Sequence, residues 1–452
     1  MAVVLKVGFR GLNEDYRKVR LLEHGLEGAC KPAVTVVTGH NGSQKSTLLR
    51  HIANYLISPE EFNAENNIHL LTPAPSPHLL CISGSTADRF PQRERPGRGR
   101  NNFDVPNYTY VGQRVMNNLL SRKAPMETVL ALAFASEKME RFGWGFFKQA
   151  HAHAGIFPEV KCTFGFKFPS KDIFDIKDSI ELISRSNSRE SARAHVGVRF
   201  SQSMARWILK EFSEADIQEL QEYIEGRVRY RNISVNLKDT GPASEMLSVS
   251  AIRLGLLIGI IKLREVEVHS IRGGDSFSLF ELSSGEYNMY SSILAVGFGV
   301  SEDTVLLFDE PENNLHPQWQ RDLMSAVFEV CSKVMSSNGH VIISTHSPLI
   351  VGSAPDLSSV VDITPESAKT SIVHYGASAD ELLLRQFGVG SSRNKVVVDT
   401  VQRAISFVER GDFDNKNFLA LVPELLDIRR ALTMDDPMIE VIDALIGKEV
   451  VE

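Results

Sequence analysis

The chain has 452 residues, 43% of them apolar, with 49 lysines and arginines against 56 acidic residues and a formal net charge of −7. This length predicts two to four structural units with a substantial core, and the mild acidity excludes a wholly basic nucleic-acid-binding surface. Four separated cysteines exclude a disulfide framework or paired-cysteine zinc site: Cys30, Cys81, Cys162 and Cys331. The longest aliphatic stretch, residues 254–261, is far shorter than the roughly 20 residues of a membrane span. No signal-peptide pattern opens the chain, so a cytoplasmic location without membrane contact is expected.

In chain order, the apolar pattern first predicts alternating strands and helices. Runs rich in β-branched residues predict strands at 3–9, 33–38, 79–83 and 108–111, with a helix at 48–56. The pattern then changes, and helical spacing predicts two long helices, at 126–142 and 204–230, around an alternating strand at 160–168. No heptad is sustained, so this middle part should be a compact insertion rather than a long coiled coil.

The second half of the chain predicts a return to α/β structure followed by helices. Apolar strands are expected at 305–308 and 341–344, and helices at 394–410, 418–432 and 438–446. Four domains follow from these changes in pattern: 1–125, 126–245 (mainly helical), 246–378 and 379–452. The predicted fold class is therefore α/β.

The strand at 33–38 runs directly into a loop of small residues and then a helix, as a phosphate-binding P-loop requires. The candidate nucleotide-binding residues in this loop are Gly39, Asn41, Gly42, Ser43, Gln44, Lys45, Ser46 and Thr47. Small residues let successive backbone N–H groups turn toward phosphates, and the start of the helix adds partial positive charge. We expect Lys45 to reach the β- and γ-phosphates of ATP and the Ser46 hydroxyl to bind Mg²⁺.

Gln44 departs from the usual P-loop pattern, which has glycine immediately before the lysine. If this position needs a positive φ, a residue other than glycine costs roughly 1–2 kcal/mol. The substitution predicts weaker nucleotide binding or slower hydrolysis.

Three further segments in the second half have the residues that a phosphate-transfer site needs. Leu282-Ser283-Ser284-Gly285-Glu286 precedes a helical pattern, and the strand at 305–308 ends in Asp309 and Glu310. The strand at 341–344 is followed by Thr345 and His346. A strand buried on both faces should end in two acids only if they face a ligand, for which Mg²⁺ is the obvious candidate. Taken alone, the serine-rich segment would more often be a helix cap.

In these four segments the sequence resembles the ABC-type ATPase superfamily, in the soluble branch with the structural-maintenance, RecF-like and overcoming-lysogenization ATPases. The matching residues are GHNGSQKST, LSSGE, VLLFDEPENNLHP and VIISTHSPL. The resemblance implies an ATPase head made of two lobes, residues 1–125 and 246–378. A short helical lever is inserted between these lobes. It implies that Asp309 positions Mg²⁺, Glu310 orients the attacking water and His346 senses the γ-phosphate. Gln113, after the strand at 108–111, is the candidate for a glutamine that contacts Mg²⁺.

The same resemblance predicts how copies of the chain assemble. In this superfamily the LSSGE segment approaches ATP bound by a facing subunit, so two chains enclose two ATP molecules. The candidate residues for this contact are Ser283, Ser284, Gly285 and Glu286, and residues 313–315 would lie at the dimer seam. An ATP-dependent homodimer, or a higher homo-oligomer, is expected.

At a finer level, the chain is similar to ATPase subunits of two-gene anti-phage systems, such as PtuA of Septu, AriA of PARIS and retron-associated ATPases. The 106 residues after His346 contain Asp412 and Asp414 in an Asp-x-Asp spacing, but after a helical pattern, which favours a solvated loop. A nuclease effector is therefore expected on a separate chain.

Other interpretations stay open. Five arginines between Arg89 and Arg100 predict either a DNA or RNA contact or a solvated loop. A DNA-repair ATPase acting directly on DNA is one alternative function. A nucleotide-bound scaffold with little hydrolysis, because of Gln44, is another. The C-terminal helices would supply either intrachain core or a docking surface for a partner.

Overall fold

A computed structural model describes most of the chain. The described residues are 3–11, 16–26, 31–58, 68–70, 77–91, 105–115, 119–135, 144–166, 175–185, 201–226, 232–364, 368–373, 379–388, 390–412 and 415–447. Within them, the strands are β1 (Val4–Arg10), β2 (Tyr16–Arg20), β3 (Ala33–Thr38), β4 (Ile68–Leu70), β5 (Leu79–Ser83), β6 (Tyr108–Val111), β7 (Arg114–Val115), β8 (Leu119–Leu120), β9 (Glu159–Phe166), β10 (Ile233–Lys238), β11 (Gly241–Ser244), β12 (Ile261–Val268), β13 (Phe277–Ser278), β14 (Val305–Asp309), β15 (His340–Ser344), β16 (Ser358–Asp362) and β17 (Lys369–Val373).

The described helices are α1 (Lys45–Ile57), α2 (Ala124–Ala133), α3 (Gly145–His153), α4 (Ile176–Arg185), α5 (Gln202–Glu211), α6 (Glu214–Glu225), α7 (Val249–Leu257), α8 (Ser284–Gly299), α9 (Pro317–Val334), α10 (Pro348–Gly352), α11 (Ala379–Phe387), α12 (Lys395–Val408), α13 (Lys416–Ala431) and α14 (Met438–Ile446). The chain has an α/β fold with C-terminal helices, as predicted. In the described residues no helix is long and apolar enough to cross a bilayer.

The central sheet has seven strands in the order β17-β16-β3-β15-β14-β5-β6. All neighbouring pairs are parallel except β16 with β17. Every residue of β3, β5, β14 and β15 is buried, as expected for parallel strands covered by helices on both faces. Since these strands run in one direction, the loops that follow β3, β14 and β15 meet at one edge of the sheet.

A second, antiparallel sheet has the order β11-β10-β9-β12-β13. Its alternating burial, such as the buried–exposed pattern of β10, reflects one face on the core and one on solvent. Residues 126–245, predicted to be mainly helical, therefore contribute β9, β10 and β11 as well as helices. Because β9 pairs with β12 beyond residue 245, the predicted insertion shares a sheet with the segment that follows it. The four-domain division itself stays a prediction.

The prediction of one helix over 204–230 is wrong, because the helix is interrupted between α5 and α6. Ser213 caps α6 by accepting the Asp216 N–H at 3.2 Å, and Asp216 Oδ2 accepts the Ser213 N–H at 2.9 Å. This reciprocal capping box is visible in the sequence as Ser-Glu-Ala-Asp. Helical spacing alone does not reveal it, since apolar residues continue on both sides of the break.

The C-terminal helices α12, α13 and α14 pack around their own apolar cluster. Val397, Leu425 and Ile442 are fully or almost fully buried within it. Asn394 caps α12 by accepting the Val396 N–H at 2.9 Å. These helices confirm the predicted C-terminal helical segment.

His340, at the start of β15, joins the N-terminal strands to the central sheet. Its Nδ1 accepts the N–H of Val4 at 3.2 Å. The Thr35 hydroxyl donates to the carbonyl of Leu21 at 2.7 Å, so it accepts from His340 Nε2–H at 2.9 Å. Both ring nitrogens are thus used by the neutral imidazole, and burial lowers the pKa of His340 to about 3.

We expect the free energy of unfolding to fall as the pH drops below about 6.5. The unfolded chain binds a proton on His340 near pH 6.5, whereas the folded chain resists it down to about pH 3, which costs about 1.4 kcal/mol per pH unit. Urea unfolding at pH 7.5 and 5.0 measures the slope. His340→Asn, which keeps an acceptor for the Val4 N–H, should flatten the slope, whereas replacing the exposed His24 by Asn should not. Equal slopes for all three proteins would contradict the prediction.

Candidate nucleotide-binding site

The phosphate loop leaves the buried end of β3 and enters α1. Gly39 and Gly42 have φ angles of 146° and 81°, a region that favours glycine. Gln44 has φ 76° and ψ 29°, so the left-handed conformation is adopted there by a residue with a side chain. The loop therefore has the glycine-dependent backbone of a phosphate cradle and carries local strain at Gln44.

Lys45, the first residue of α1, is 5% exposed. Its ammonium donates to the carbonyls of Gly39 and His40, at 3.0 and 3.4 Å. Burial lowers the pKa of Lys45, whereas four surrounding carboxylates raise it: Glu310, Asp309, Glu312 and Asp362. These four carboxylates make the surroundings of Lys45 rich in negative charge, so a bound polyphosphate would need additional positive charge.

Asp309, the last residue of β14, meets the start of α1. Its Oδ1 accepts from the Ser46 hydroxyl at 3.2 Å and from the Ser344 hydroxyl. The carboxylate is 1% exposed, and burial raises its pKa to about 6. A desolvated carboxylate beside a hydroxyl is a set of ligands suited to Mg²⁺. Proteins usually bind this ion through one or two carboxylates together with the phosphates of the substrate. In the described part of the chain no three His, Cys, Asp or Glu side chains form a metal cage.

Glu310 follows Asp309 in a strained conformation, with φ 50°. Its N–H donates to the carbonyl of Ser344 at 3.0 Å, and its Oε2 accepts from the Asn313 side-chain amide at 2.8 Å. The carboxylate is 26% exposed, so it is held by protein contacts but still open to water. This arrangement suits a group that orients a water molecule.

His346, two residues after β15, lies between Lys45 and Glu310. Its Nδ1 is 3.5 Å from Lys45 Nζ, and its Nε2 is 4.0 Å from Glu310 Oε1. Because an ammonium can only donate, Nδ1 must be the acceptor and the ring proton lies on Nε2. Burial and the Lys45 charge lower the pKa of His346, which keeps the ring neutral near pH 7. His346 thus offers an Nε2–H donor beside the carboxylate of Glu310.

Two braces of the phosphate loop were not predicted from the sequence. Arg17 of β2 donates to the carbonyl of Ser43 at 3.0 Å and to that of Ile363 at 2.5 Å. The Thr364 hydroxyl accepts the His40 N–H at 2.9 Å. A signal was present, because Arg17 shares the inward face of an alternating strand with Val19.

The predicted signature residues begin α8 and pack against the loop after β14. Ser283 and Glu286 form a capping box, with hydrogen bonds of 3.2 and 2.9 Å, so their side chains act first as a helix cap. Ser283 and Ser284 are exposed. At Gly285 an added Cβ would lie 2.4 Å from the carbonyl oxygen of Asn314. The signature segment is therefore fixed to the loop that contains Asn313 and Asn314.

Gly84, after β5, touches the other side of that loop, and an added Cβ would lie 2.2 Å from the carbonyl oxygen of Glu310. We expect Gly84→Ala to displace Glu310, to lower ATP turnover and to cost about 1–3 kcal/mol of stability by overpacking. ATP turnover and urea unfolding measure the two effects. Gly145→Ala is the matched control, because apart from its chain neighbours and its own helix backbone no atom lies within 4 Å of its added Cβ. Wild-type turnover in Gly84→Ala would contradict the prediction.

Gln113, the predicted Mg²⁺-contacting glutamine, follows β6 at the edge of the central sheet. It lines a cavity of about 140 Å³ together with Ser284, Asn288 and Asn313. Within the described part of the chain, its side chain makes no hydrogen bond to Ser46 or Asp309. Its role at Mg²⁺ stays a prediction.

The arginine-rich segment is described only at its start. Arg89 donates to the Thr47 hydroxyl at 3.5 Å, beside the phosphate loop. The preceding Asp88 is buried and is held by Tyr110 and Arg114, at 2.7 and 2.9 Å. The arginines at 93, 95, 98 and 100 lie outside the described residues.

Comparison with known proteins finds one family model, described as "AAA domain, putative AbiEii toxin, Type IV TA system", over residues 163–352. This range includes Asp309, Glu310 and His346 but not the phosphate loop. A curated relative, protein ea59 of Escherichia phage lambda, is 37% identical over 78 residues. That alignment covers 17% of this chain and only 14% of the phage protein.

Solved structures give more distant likenesses. The SMC head domain of Pyrococcus furiosus bound to the C-terminal domain of ScpA is 11% identical, with 83% of this chain and 97% of that chain covered and a TM-score of 0.33. An ATP-binding cassette of an ABC transporter in its ADP conformation is 10% identical, with coverages of 85% and 96% and a TM-score of 0.31. UvrA2 from Deinococcus radiodurans is 14% identical, with coverages of 84% and 59% and a TM-score of 0.29. TM-scores of this size do not establish a common fold.

Three observations agree with one another. They are the strand order, the phosphate loop after β3, and the family match to the segment with Asp309, Glu310 and His346. Together they support an α/β fold with a P-loop nucleotide site.

Proposed function

We propose that this chain binds Mg-ATP and hydrolyses it slowly. The observation that carries the proposal is the convergence of Lys45, Ser46, Asp309, Glu310 and His346 from the ends of β3, β14 and β15. These residues are far apart in the sequence but lie within a few hydrogen bonds of one another. Such a set supplies what phosphoryl transfer needs, namely charge neutralisation and a group that positions water.

Each residue has a distinct task in this reaction. Lys45 binds the β- and γ-phosphates, and the N–H groups at the start of α1 hold the other phosphate oxygens. Ser46 and Asp309 would hold Mg²⁺, which supplies positive charge to the phosphates when bound. Glu310 orients the attacking water, while Asn313 keeps its carboxylate in place. His346 donates its Nε2–H to the γ-phosphate.

Calorimetry tests nucleotide binding directly. We expect wild-type protein to bind ATP in the presence of Mg²⁺ and to lose most of this binding when EDTA removes the metal. The reason is the negative charge of four carboxylates around one lysine. Absence of a heat signal with Mg-ATP would refute the proposal.

Gln44 bears on the rate of hydrolysis. Its left-handed backbone costs roughly 1–2 kcal/mol, but glycine there would lose about 0.5–1 kcal/mol through its more flexible unfolded state. The difference, about 0.5–1 kcal/mol, favours glycine, so Gln44 keeps a modest strain at the start of α1. A nucleotide-bound scaffold is the alternative, and a measured turnover that Glu310→Gln abolishes would exclude it.

We further propose that two copies enclose ATP and assemble as a homodimer or higher homo-oligomer. Ser283 and Ser284 at the start of α8 support this, because both are exposed and therefore accessible to a facing copy. Light scattering after size-exclusion chromatography should show a larger mass with Mg-ATP than with EDTA. An unchanged mass would argue against assembly on ATP.

The biological role that we propose is control of a separate effector nuclease in anti-phage defence, as in the PtuA and AriA subunits. A family description that names a toxin of a type IV system is compatible with a defence role. The test is to express the chain with its neighbouring genes and purify it by a tag. Co-purification of a nuclease would support the role, and a chain that binds no second protein would count against it.

Direct action on DNA is the second candidate, and the contact of Arg89 with Thr47 is the observation that favours it. A basic residue beside the phosphate loop could connect nucleic-acid contact with ATP binding. Stimulation of ATP turnover by DNA, lost on Arg89→Ala, would support this alternative.

A further inference from the structure

Glu312 connects the two loops that carry the proposed catalytic groups. It lies in the turn after β14, three residues beyond Asp309, and its Oε1 accepts the backbone N–H of His346 at 2.6 Å. A single side chain from the loop of Glu310 thus holds the backbone of the loop that carries His346.

The carboxylate of Glu312 is enclosed, although the residue as a whole is only half-buried. Its Oε2 is buried and has no hydrogen-bond partner in the described part of the chain. Burial raises the pKa of Glu312, and the negative charge of Glu310 adds to this effect. An enclosed acid without a complete set of partners costs stability, so its presence needs a compensating function.

The backbone that Glu312 holds is the one that sets the direction of the His346 ring. Nδ1 of His346 faces Lys45 and Nε2 faces Glu310, at 3.5 and 4.0 Å. A small rotation of the chain at residue 346 would move both nitrogens out of these positions. The contact at 2.6 Å is the one that fixes the N–H of this residue to the loop after β14.

We propose that Glu312 is a positioning residue that holds the loop after β15, so that His346 Nε2–H faces the γ-phosphate and distinguishes ATP from ADP. This inference rests on the proposed function, because it assigns Glu312 a task within the same site. Glu312 acts through His346 and need not touch the nucleotide. Its contact also links the position of His346 to that of Glu310, which lies two residues before it.

The first test requires no nucleotide. Hydrogen–deuterium exchange of the peptide covering residues 340–350 is measured for wild type, Glu312→Ala, Glu312→Gln and the control Glu302→Ala. Glu302 is exposed and precedes the opposite end of the same strand, β14. We expect at least tenfold faster exchange in Glu312→Ala and wild-type exchange in Glu312→Gln, which keeps an acceptor oxygen, and in the control.

The second test measures the consequence for nucleotide discrimination. The ratio of the Kd for Mg-ADP to the Kd for Mg-ATP is compared for the same four proteins. We expect the ratio to fall toward 1 in Glu312→Ala, with the Kd for Mg-ADP within about twofold of wild type, because the phosphate loop is intact. Glu312→Gln should keep the wild-type ratio.

The outcomes separate this inference from the proposed function. Unchanged exchange in Glu312→Ala overturns the positioning role, whatever the nucleotide result. Faster exchange with an unchanged Kd ratio also overturns the positioning role, since Glu312 would then be only structural. The role is likewise overturned if Glu312→Gln behaves as Glu312→Ala does. If wild-type protein binds no Mg-ATP, the proposed function fails and the link to nucleotide discrimination falls with it, while exchange still decides whether Glu312 holds the loop.

Discussion

Glu310→Gln is expected to lower the ATP turnover number by about 10²–10⁴-fold, the usual effect of removing a group that assists proton transfer. Binding of Mg-ATP should stay within a few-fold of wild type, because Lys45, Ser46 and Asp309 are unchanged. The glutamine can still accept a hydrogen bond from Asn313 at the position of Oε2, so the strained turn should persist. If ATP joins two copies, the variant should also accumulate as the ATP-bound dimer.

Phosphate release and light scattering with Mg-ATP measure the two effects. Glu302→Gln is the matched control, since it changes an exposed glutamate before the same strand, β14. Turnover near the wild-type value in Glu310→Gln would remove Glu310 from the mechanism. A loss of Mg-ATP binding would instead indicate that Glu310 acts on affinity, contrary to the assignment.

The strands that position the site could be predicted because of how they are buried. β3, β14 and β15 are short, mostly apolar runs, the pattern of parallel strands covered on both faces. The antiparallel sheet is harder to predict, since alternating hydrophobicity indicated only the strand at β9. The β10–β11 hairpin joins this sheet through pairing of β10 with β9, across about seventy intervening residues. Local periodicity carries no information about such distant pairing.

The candidate site shows the same division between local pattern and distant contact. The phosphate loop and the two acids at the end of β14 are contiguous motifs, so the sequence places them directly. Arg17 and Glu312 act through backbone atoms of other loops, which no motif records. Asn313, assigned to a dimer seam from resemblance, contacts Glu310 within one chain. The seam role stays a prediction, and the contact with Glu310 adds a second task.

Lys45→Ala should abolish measurable ATP turnover and weaken Mg-ATP binding by about 10- to 100-fold. This weakening corresponds to the loss of charged hydrogen bonds that contribute roughly 1.5–3 kcal/mol to the binding free energy. Lys45 is the buried cation among Asp309, Glu310, Glu312 and Asp362. Without it, only the metal and the N-terminus of α1 would offset the repulsion between the γ-phosphate and four carboxylates. The loss should therefore be larger for ATP than for ADP, which has one fewer negative charge to place there.

Thermal unfolding with and without ligand measures this loss independently of turnover. At a ligand concentration of 100 Kd, wild-type protein should gain about 2.7 kcal/mol of stability from Mg-ATP, whereas Lys45→Ala should gain much less at the same concentration. Lys333→Ala, which removes an exposed lysine paired with Glu329 on α9, should keep the full gain. An equal gain in Lys45→Ala would mean that ATP binds elsewhere on the chain. The convergence of β3, β14 and β15 would then need another explanation, because Lys45 is the residue through which Gly39, His40 and His346 meet.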